Sequence, residues 1–350
     1  MNQANDTLKW LKNPTPEPSL SAREAAALHQ RDLAKPFGAL GALESIAIEF
    51  ASWQNCKKPK LENVCQRIFV GDHGVTAEGV SVFGQQTTSE MLRNAASERS
   101  AIGILSAANG IEVSIVNLGT VVPVDDLPSV IDLTLANGTA NFCKQPAMDS
   151  DLLVNAINAG REYGAQKDCQ LFIGGEIGVG NTSSASAICS AALTLPVEQS
   201  VGRGSGVDDS RFEQKQKAIR TALDRHRTSI RQPLGVLSHV GGLEIAALTS
   251  AYIDAAQRGI PSLVDGFVCS AAALLACQIN PGVRRWLIFS HKSQEPGHQH
   301  ILTKLDAKPL LDLSLRLGEA TGAALALPLI RSALSLHEGL ARFSSQNINT

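Results

Sequence analysis

Apolar residues gather along this chain in two kinds of run. Five short segments, RIFVGDHG (67–74), VSIVNLGT (113–120), CQLFIGGE (169–176), PSLVDGF (261–267) and RWLIFSH (285–291), each begin with β-branched, leucine or aromatic residues and end in polar or glycine residues. Continuous apolar runs of this length suit strands buried on both faces. Between them lie alanine-rich stretches with helical spacing, among them AAALHQRDLA (25–34), SERSAIGILSAANG (97–110), LEIAALTSAYIDAAQRG (243–259) and CSAAALLACQI (269–279). These make crossover helices. The alternation predicts an α/β fold built on a large, doubly wound, mostly parallel, Rossmann-like sheet. Ligands of such sheets bind beyond the carboxyl ends of the strands, where the polar residues of these runs collect.

The chain ends differ. SAREAAALHQ opens with Ser21 and Glu24, a capping-box spacing, and the last fifty residues are rich in leucine and alanine without a strand-like segment. Both ends read as helical. NPTPEPS (13–19) reads as an extended lead-in, and no fixed-period repeat interrupts the pattern.

With 350 residues the chain has enough length to bury roughly 75% of its unfolded surface. Its 44% hydrophobic and 18% charged content is that of a compact enzyme. A net charge of −2, with no Lys/Arg block, excludes the electrostatic footprint of a nucleic-acid binder. Small molecules are the expected partners. The N-terminus lacks the apolar core of a signal peptide and no run has the length of a membrane span, so the expected location is the cytoplasm and no membrane contact is expected. Seven cysteines without a C-x-x-C pair read as small buried thiols rather than a disulfide framework.

The most distinctive motif is GGEIGVGNTSSASA (174–187). The chain leaves a buried strand, turns through glycines and enters a helix around Asn181 to Ser184. That arrangement is either a plain turn or an anion cradle built from backbone N–H groups. It departs from G-x-G-x-x-G and lacks the Walker lysine, so a dinucleotide or triphosphate site is poorly matched. Glu176 would oppose a bound anion, and its carboxylate is expected to face a cationic or hydrogen-bonding group.

Several segments together resemble the nicotinate-nucleotide:dimethylbenzimidazole phosphoribosyltransferase family. They are KPFGALGALE (35–44), GDHGVTAEGVSVF (71–83), GGEIGVGNTSSASA, VGRGSGVDD (201–209), the stretch from Val240 to Ala276, SHKSQEPGH (290–298) and LRLGEATGAALALPL (315–329). They recur in family order over nearly the whole chain. The resemblance implies a large α/β substrate-binding domain over 61–301 and a small helical domain built from 1–60 plus 302–350. It also implies a homodimer whose chains help complete each other's sites, with no cofactor and no metal.

The implied reaction transfers the phosphoribosyl group of nicotinate mononucleotide to 5,6-dimethylbenzimidazole. A ring nitrogen of the base attacks C1′, nicotinate leaves, and α-ribazole 5′-phosphate forms with its anomeric carbon inverted, in cobalamin nucleotide-loop assembly. By the same resemblance Glu319, in RLGEATGAAL, is the general base, and Glu176 lies near the ribose and the incoming base. Read from the residues alone, Glu319 is a helix-terminal glutamate beside Thr321, and Glu176 caps nearby N–H groups. Phosphate donors are expected from Gly178, Gly180 and Asn181, from Gly202 and Gly204 of the GRGSG loop, from Ser290 and His291, and from Lys215. Phe83, Met91 and Leu317 are expected to wall the base slot.

Asp72 and His73 in GDHG read first as turn-ordering residues, with a proton relay as the alternative. The histidines of HKSQEPGHQH lack the spacing of a zinc site. The chain departs from the family pattern at Phe37, Gly84 and Ala320; Gly84 and Ala320 are expected to flank the base pocket and bear on the acceptor rather than on the reaction. Two other readings stand beside this one. One is a magnesium-dependent phosphoribosyltransferase for another base, suggested by VVPVDDLP (121–128) but lacking the phosphate turn. The other is a non-catalytic nucleotide-binding relative, against which the intact Glu176 and Glu319 argue.

Overall fold

The computed structural model describes residues 7–343. In chain order its helices and strands are α1 (Leu20–Asp32), α2 (Ala42–Trp53), β1 (Val64–Gly71), α3 (Gln86–Ala96), α4 (Ala101–Ala108), β2 (Val113–Gly119), β3 (Val130–Asp132), α5 (Ser150–Tyr163), β4 (Leu171–Ile177), α6 (Asn181–Leu193), α7 (Val197–Ser200), α8 (Asp209–Arg225), α9 (Pro233–Val240), α10 (Leu243–Gln257), β5 (Ser262–Val264), α11 (Phe267–Ile279), β6 (Leu287–Phe289), α12 (Pro296–Lys304) and α13 (Thr321–Gly339). The six strands form one parallel sheet in the order β3-β2-β1-β4-β5-β6. This is the doubly wound, Rossmann-like order that the alternation predicts.

The five expected strands are β1, β2, β4, β5 and β6. The sixth, β3, is a three-residue edge strand that is only partly buried, too short and too polar to stand out as an apolar run.

Successive side chains of a strand face opposite sides of a sheet, and β1 shows what that demands. Ile68 and Val70 pack into one apolar layer with Phe50, Leu92, Ile102, Ala323 and Leu327, from α2, α3, α4 and α13. Phe69, between them, packs into the other with α5, α6 and α8 to α12. Each strand residue is thereby covered, which explains the unbroken apolar runs. Helices from both chain ends meet on the first face, where α13 packs against α2 and α4 and α2 against α1.

Local signals hold unevenly. Ser19, not Ser21, caps α1, its Oγ accepting the Ala22 N–H at 3.3 Å; the capping-box spacing sits two residues too far along the chain. Two cysteines, Cys56 and Cys65, are half-buried rather than buried.

Chain order reverses between β1 and β4, so loops leaving their carboxyl ends diverge and leave a crevice. Gly71-Asp72-His73 leaves β1 there, and Gly178 to Gly180 leaves β4.

Candidate active site

A cavity of about 260 Å³ occupies this crevice, lined by the turn Glu176 to Thr182, by Val80, Ser81, Phe83 and Met91, by Gly204 and Ser205, and by Arg316, Leu317 and Glu319. Four separate chain segments thus converge at the switch point. A larger cleft of about 1120 Å³ lies instead against β6 and the N-terminal helices. Its Arg23 and Arg285 are already paired with Glu49 and Glu17, and none of the site residues expected from the sequence lines it.

The glycines of the GGEIGVGNTSSASA motif serve packing before they serve a ligand. A Cβ at Gly175 would lie 2.8 Å from the Ala320 methyl and 2.5 Å from Ile68, so this glycine lets the C-terminal turn dock on β4. A Cβ at Gly178 would lie 2.2 Å from the Gly71 carbonyl oxygen. Gly180, at φ +101°, is the N-cap of α6. The helix begins at Asn181 without a side-chain cap; the Asn181 and Ser183 N–H groups donate to the Gly178 and Gly180 carbonyls at 3.1 and 2.9 Å, and Asn181 and Thr182 line the cavity at this helix N-terminus, where the dipole favours an anion.

Glu319 is held by an unusual backbone. Gly318, Glu319 and Ala320 have φ of +88°, +60° and +64°, three left-handed residues in succession. Thr321 closes the turn, its N–H and Oγ1–H both donating to the Gly318 carbonyl at 3.0 and 2.7 Å. A left-handed conformation is costly for residues with a Cβ, and it aims Glu319 into the cavity while burying the Ala320 methyl against β4. Ala320 therefore faces the core and not the base slot, which differs from the expected placement.

Glu176 is also buried. It accepts a hydrogen bond from the Asn181 side-chain amide and lies against the Gly318–Glu319 backbone, where a Cβ at Gly318 would be 2.6 Å from its Oε1. Burial, reinforced by the carboxylates of Glu244, Asp265 and Glu319, raises its proton affinity well above the usual carboxylate range. Glu319 itself is pushed up to about 7, mainly by burial and further by Asp265. Two acids in contact titrate as a pair, and the neighbouring charges favour a single negative charge on the pair near neutrality.

Lys215 on α8 lies buried beneath the second glycine loop, its Nζ donating to Thr182 Oγ1 at 2.9 Å and to the Gly202 carbonyl at 3.1 Å. Burial brings its pKa down to about 8, against the opposing pull of Glu295. Glu295 accepts the Gly204 N–H at 3.0 Å, and Arg316 donates to the Gly204 carbonyl at 2.9 Å. The loop is thus clamped from both sides. Gly202 stands behind it, where a Cβ would strike Glu295. At the mouth, Phe83 and Leu317 are about half exposed, with Met91 deeper in the same wall.

Of the residues expected from the sequence, Glu176, Glu319, Gly178, Gly180, Asn181, Gly204, Phe83, Met91 and Leu317 share this cavity. Lys215 reaches it through Thr182. Ser290 and His291 do not line it: both are buried behind the Glu319 turn, and a Cβ at Gly322 would meet the His291 ring at 1.9 Å. His73 is fully buried between Glu244 Oε1 at 2.7 Å and Ser184 Oγ at 3.0 Å, and its ring underlies Gly178. Asp72 holds Thr88 Oγ1 at 2.5 Å and the Val121 N–H at 2.8 Å. These hydrogen bonds tie the GDHG turn to the elements around it. Both ring nitrogens of His298 are engaged, with Ser270 Oγ and with the Ser293 N–H.

Three contributors escape motif reading: Asp265, Glu244 and Arg316. Asp265 ends the β5 run SLVD just as Glu176 ends that of β4, and its Oδ1 accepts the Ala323 N–H at 2.9 Å, fixing the first turn of α13. Its position at a strand end is the signal that was available.

Comparison with known proteins agrees with this geometry. The family model described as phosphoribosyltransferase matches residues 15–348. A protein of Pseudomonas aeruginosa named nicotinate-nucleotide–dimethylbenzimidazole phosphoribosyltransferase is 47% identical over 346 residues, covering 98% of this chain and 99% of that protein. One of the same name from Xanthomonas axonopodis is 47% identical, covering 97% and 98%. The crystal structure of the enzyme of that name from Thermus thermophilus superposes with a TM-score of 0.89 at 37% identity, over 95% of this chain and 99% of the other. On its sequence, its fold and its converging strand ends, the chain belongs to the nicotinate-nucleotide:dimethylbenzimidazole phosphoribosyltransferase family.

Proposed function

We propose that this enzyme transfers the phosphoribosyl group of nicotinate mononucleotide to 5,6-dimethylbenzimidazole, releasing nicotinate and α-ribazole 5′-phosphate. The observation that carries the residue roles is the pairing of two buried carboxylates, Glu176 and Glu319, in one cavity with a phosphate-suited turn.

The acceptor base lies in the slot walled by Phe83, Met91 and Leu317. As one ring nitrogen attacks C1′, the other loses its proton to Glu319, whose proton affinity near 7 matches that task at neutral pH. Glu176, whose raised proton affinity leaves the charge of the pair on Glu319, faces the ribose and orients its hydroxyls. The 5′-phosphate is held by the Gly178–Asn181 turn and the Gly204 loop, with the Lys215 ammonium as point charge. No cofactor enters this scheme. The homodimer and the division into a large α/β domain and a small helical domain from both chain ends accompany this reading and rest on the family resemblance; the cytoplasmic location accompanies it from the N-terminal sequence, which lacks the apolar core of a signal peptide.

The test is a metal-free, anaerobic incubation with both substrates, followed by chromatography and mass spectrometry of product and released nicotinate. One nicotinate per α-ribazole phosphate is the expected result. Binding of the mononucleotide without either product would overturn the reading and favour a binding-only protein or another acceptor.

A further inference from the structure

His73, at the end of β1, and Glu244, in the first turn of α10, are fully buried, and neither lines the substrate cavity. His73 Nε2 lies 2.7 Å from Glu244 Oε1, and His73 Nδ1 lies 3.0 Å from the hydroxyl of Ser184, in the first turn of α6. The Ser184 Oγ–H donates in turn to the Gly241 carbonyl at 3.1 Å. One imidazole thus ties together the starts of two helices and the end of a strand.

Glycine backbone encloses the pair. A Cβ at Gly178 would lie 3.3 Å from the His73 ring, one at Gly180 3.0 Å from the His73 Cβ, one at Gly242 2.3 Å from the ring, and one at Gly71 3.1 Å from Glu244 Oε2. The Gly178–Gly180 turn therefore rests on the imidazole itself. Its middle N–H, that of Val179, donates to Thr88 Oγ1 at 3.1 Å, and Thr88 is held by Asp72, the neighbour of His73. Side chains of the GDHG turn support the β4 turn at both points.

Stability alone is a poor reason for this arrangement. A buried ion pair is often matched or bettered by apolar residues of the same volume, and Glu244 Oε2 is buried with no hydrogen-bond partner among the described residues, which adds a desolvation cost. What the pair supplies is direction. The two glycines of the Gly178–Gly180 turn have no side chains of their own to lock it, and Gly180 is left-handed. Hydrogen bonds to both ring nitrogens fix the surface on which this turn lies. Ser184 is too deeply buried to meet a substrate, so the Ser–His–Glu chain is no nucleophile.

Resting on the phosphoribosyl-transfer reading above, we propose that His73, braced by Glu244 and Ser184, is a positioning residue for that reaction. It fixes the Gly178–Gly180 turn in the shape that receives the 5′-phosphate, and with it the place of Glu176 at the end of β4. A shift of about 1 Å in such a cradle is enough to cost up to about 100-fold in rate or affinity.

The experiment compares the ligand-free, full-length wild type with His73→Ala, Glu244→Ala, Glu244→Gln and Ser184→Ala, the last being the smallest change. Amide hydrogen exchange over residues 174–187 should rise about tenfold in the three alanine variants, with α1 and α13 exchanging as in the wild type. By calorimetry the Kd for nicotinate mononucleotide should rise about 10- to 100-fold in the same variants, while that for 5,6-dimethylbenzimidazole stays within about twofold. Glu244→Gln, which keeps an oxygen to accept the His73 N–H, should recover most of the mononucleotide affinity. Wild-type exchange of this segment in folded Ser184→Ala would overturn the proposal, as would a Glu244→Gln that binds the mononucleotide as weakly as Glu244→Ala. If the wild type itself does not bind the mononucleotide, the substrate reading fails, and the exchange comparison still decides whether His73 braces the turn.

Discussion

The carboxylate of Glu176, at the end of the central strand β4, packs against the backbone of the left-handed turn that carries Glu319, from the far end of the chain. One acid therefore positions the other. The contact also means that the protonation of either is felt by both, and most of the testable behaviour follows from it.

Replacing the proposed base, Glu319→Gln, should lower turnover by about 10² to 10⁴ while leaving substrate affinity nearly intact. The same change should stabilise the fold in alkaline solution. Because the folded-state pKa is about 7 against an ordinary 4.5, the native protein binds the extra proton between those values. The resulting penalty accumulates as pH rises through that window and is complete above it. Removing the acid should therefore add up to about 3 kcal/mol at pH 8 and almost nothing near pH 4, measured by denaturant unfolding at the two pH values. Wild-type turnover in this variant would remove Glu319 from the mechanism.

In the wild type, kcat/KM should fall on the acid side with a midpoint near 7, since the base must be ionised. Asp265 contributes to that position by repulsion. Asp265→Asn keeps the oxygen that accepts the Ala323 N–H and loses the charge, so the acid limb should move to lower pH by about half to one unit. An unmoved limb would show that burial alone sets it.

Lys215→Met should raise KM for the mononucleotide by about 10- to 100-fold, the range for losing a charge-assisted hydrogen bond to phosphate, with a much smaller effect on the benzimidazole. Because its pKa is brought down to about 8, the wild-type affinity for the mononucleotide should weaken above that pH, and the variant should lose this alkaline dependence. Titration calorimetry at pH 7 and pH 9 compares the two.

Gly178→Ala should cost about 1 to 3 kcal/mol of stability, because the added methyl meets the Gly71 carbonyl at 2.2 Å and the His73 ring at 3.3 Å. A melting temperature within a degree of wild type would mean that the β1 and β4 loops can part without penalty.

Much of this was legible in the sequence because the sheet is buried on both faces. Its strands announce themselves as apolar runs, and the residue that ends each run marks the ligand edge. Glu176 and the glycines beside it stood out for that reason. Residues whose role depends on a neighbour from elsewhere in the chain did not. Ser290 and His291 end a strand as Glu176 does, yet the first turn of α13 lies over them and closes them off. Ala320 was expected at the base slot, but the left-handed turn points its methyl into the core. The meeting of Cys65 and Cys169 in one cleft has no local spacing at all, since it joins segments more than a hundred residues apart.

The strict parallelism of the sheet also sorts reactivity by direction. Every strand starts at one edge and finishes at the other, so Cys65, near the start of β1, lies four residues before Phe69, the partner of Glu176, about 13 Å away at the rise of an extended chain. An immobilised or dye-labelled enzyme attached through the thiol edge would keep its substrate mouth facing solution. The architecture supplies a handle and a working face that do not compete for the same ground.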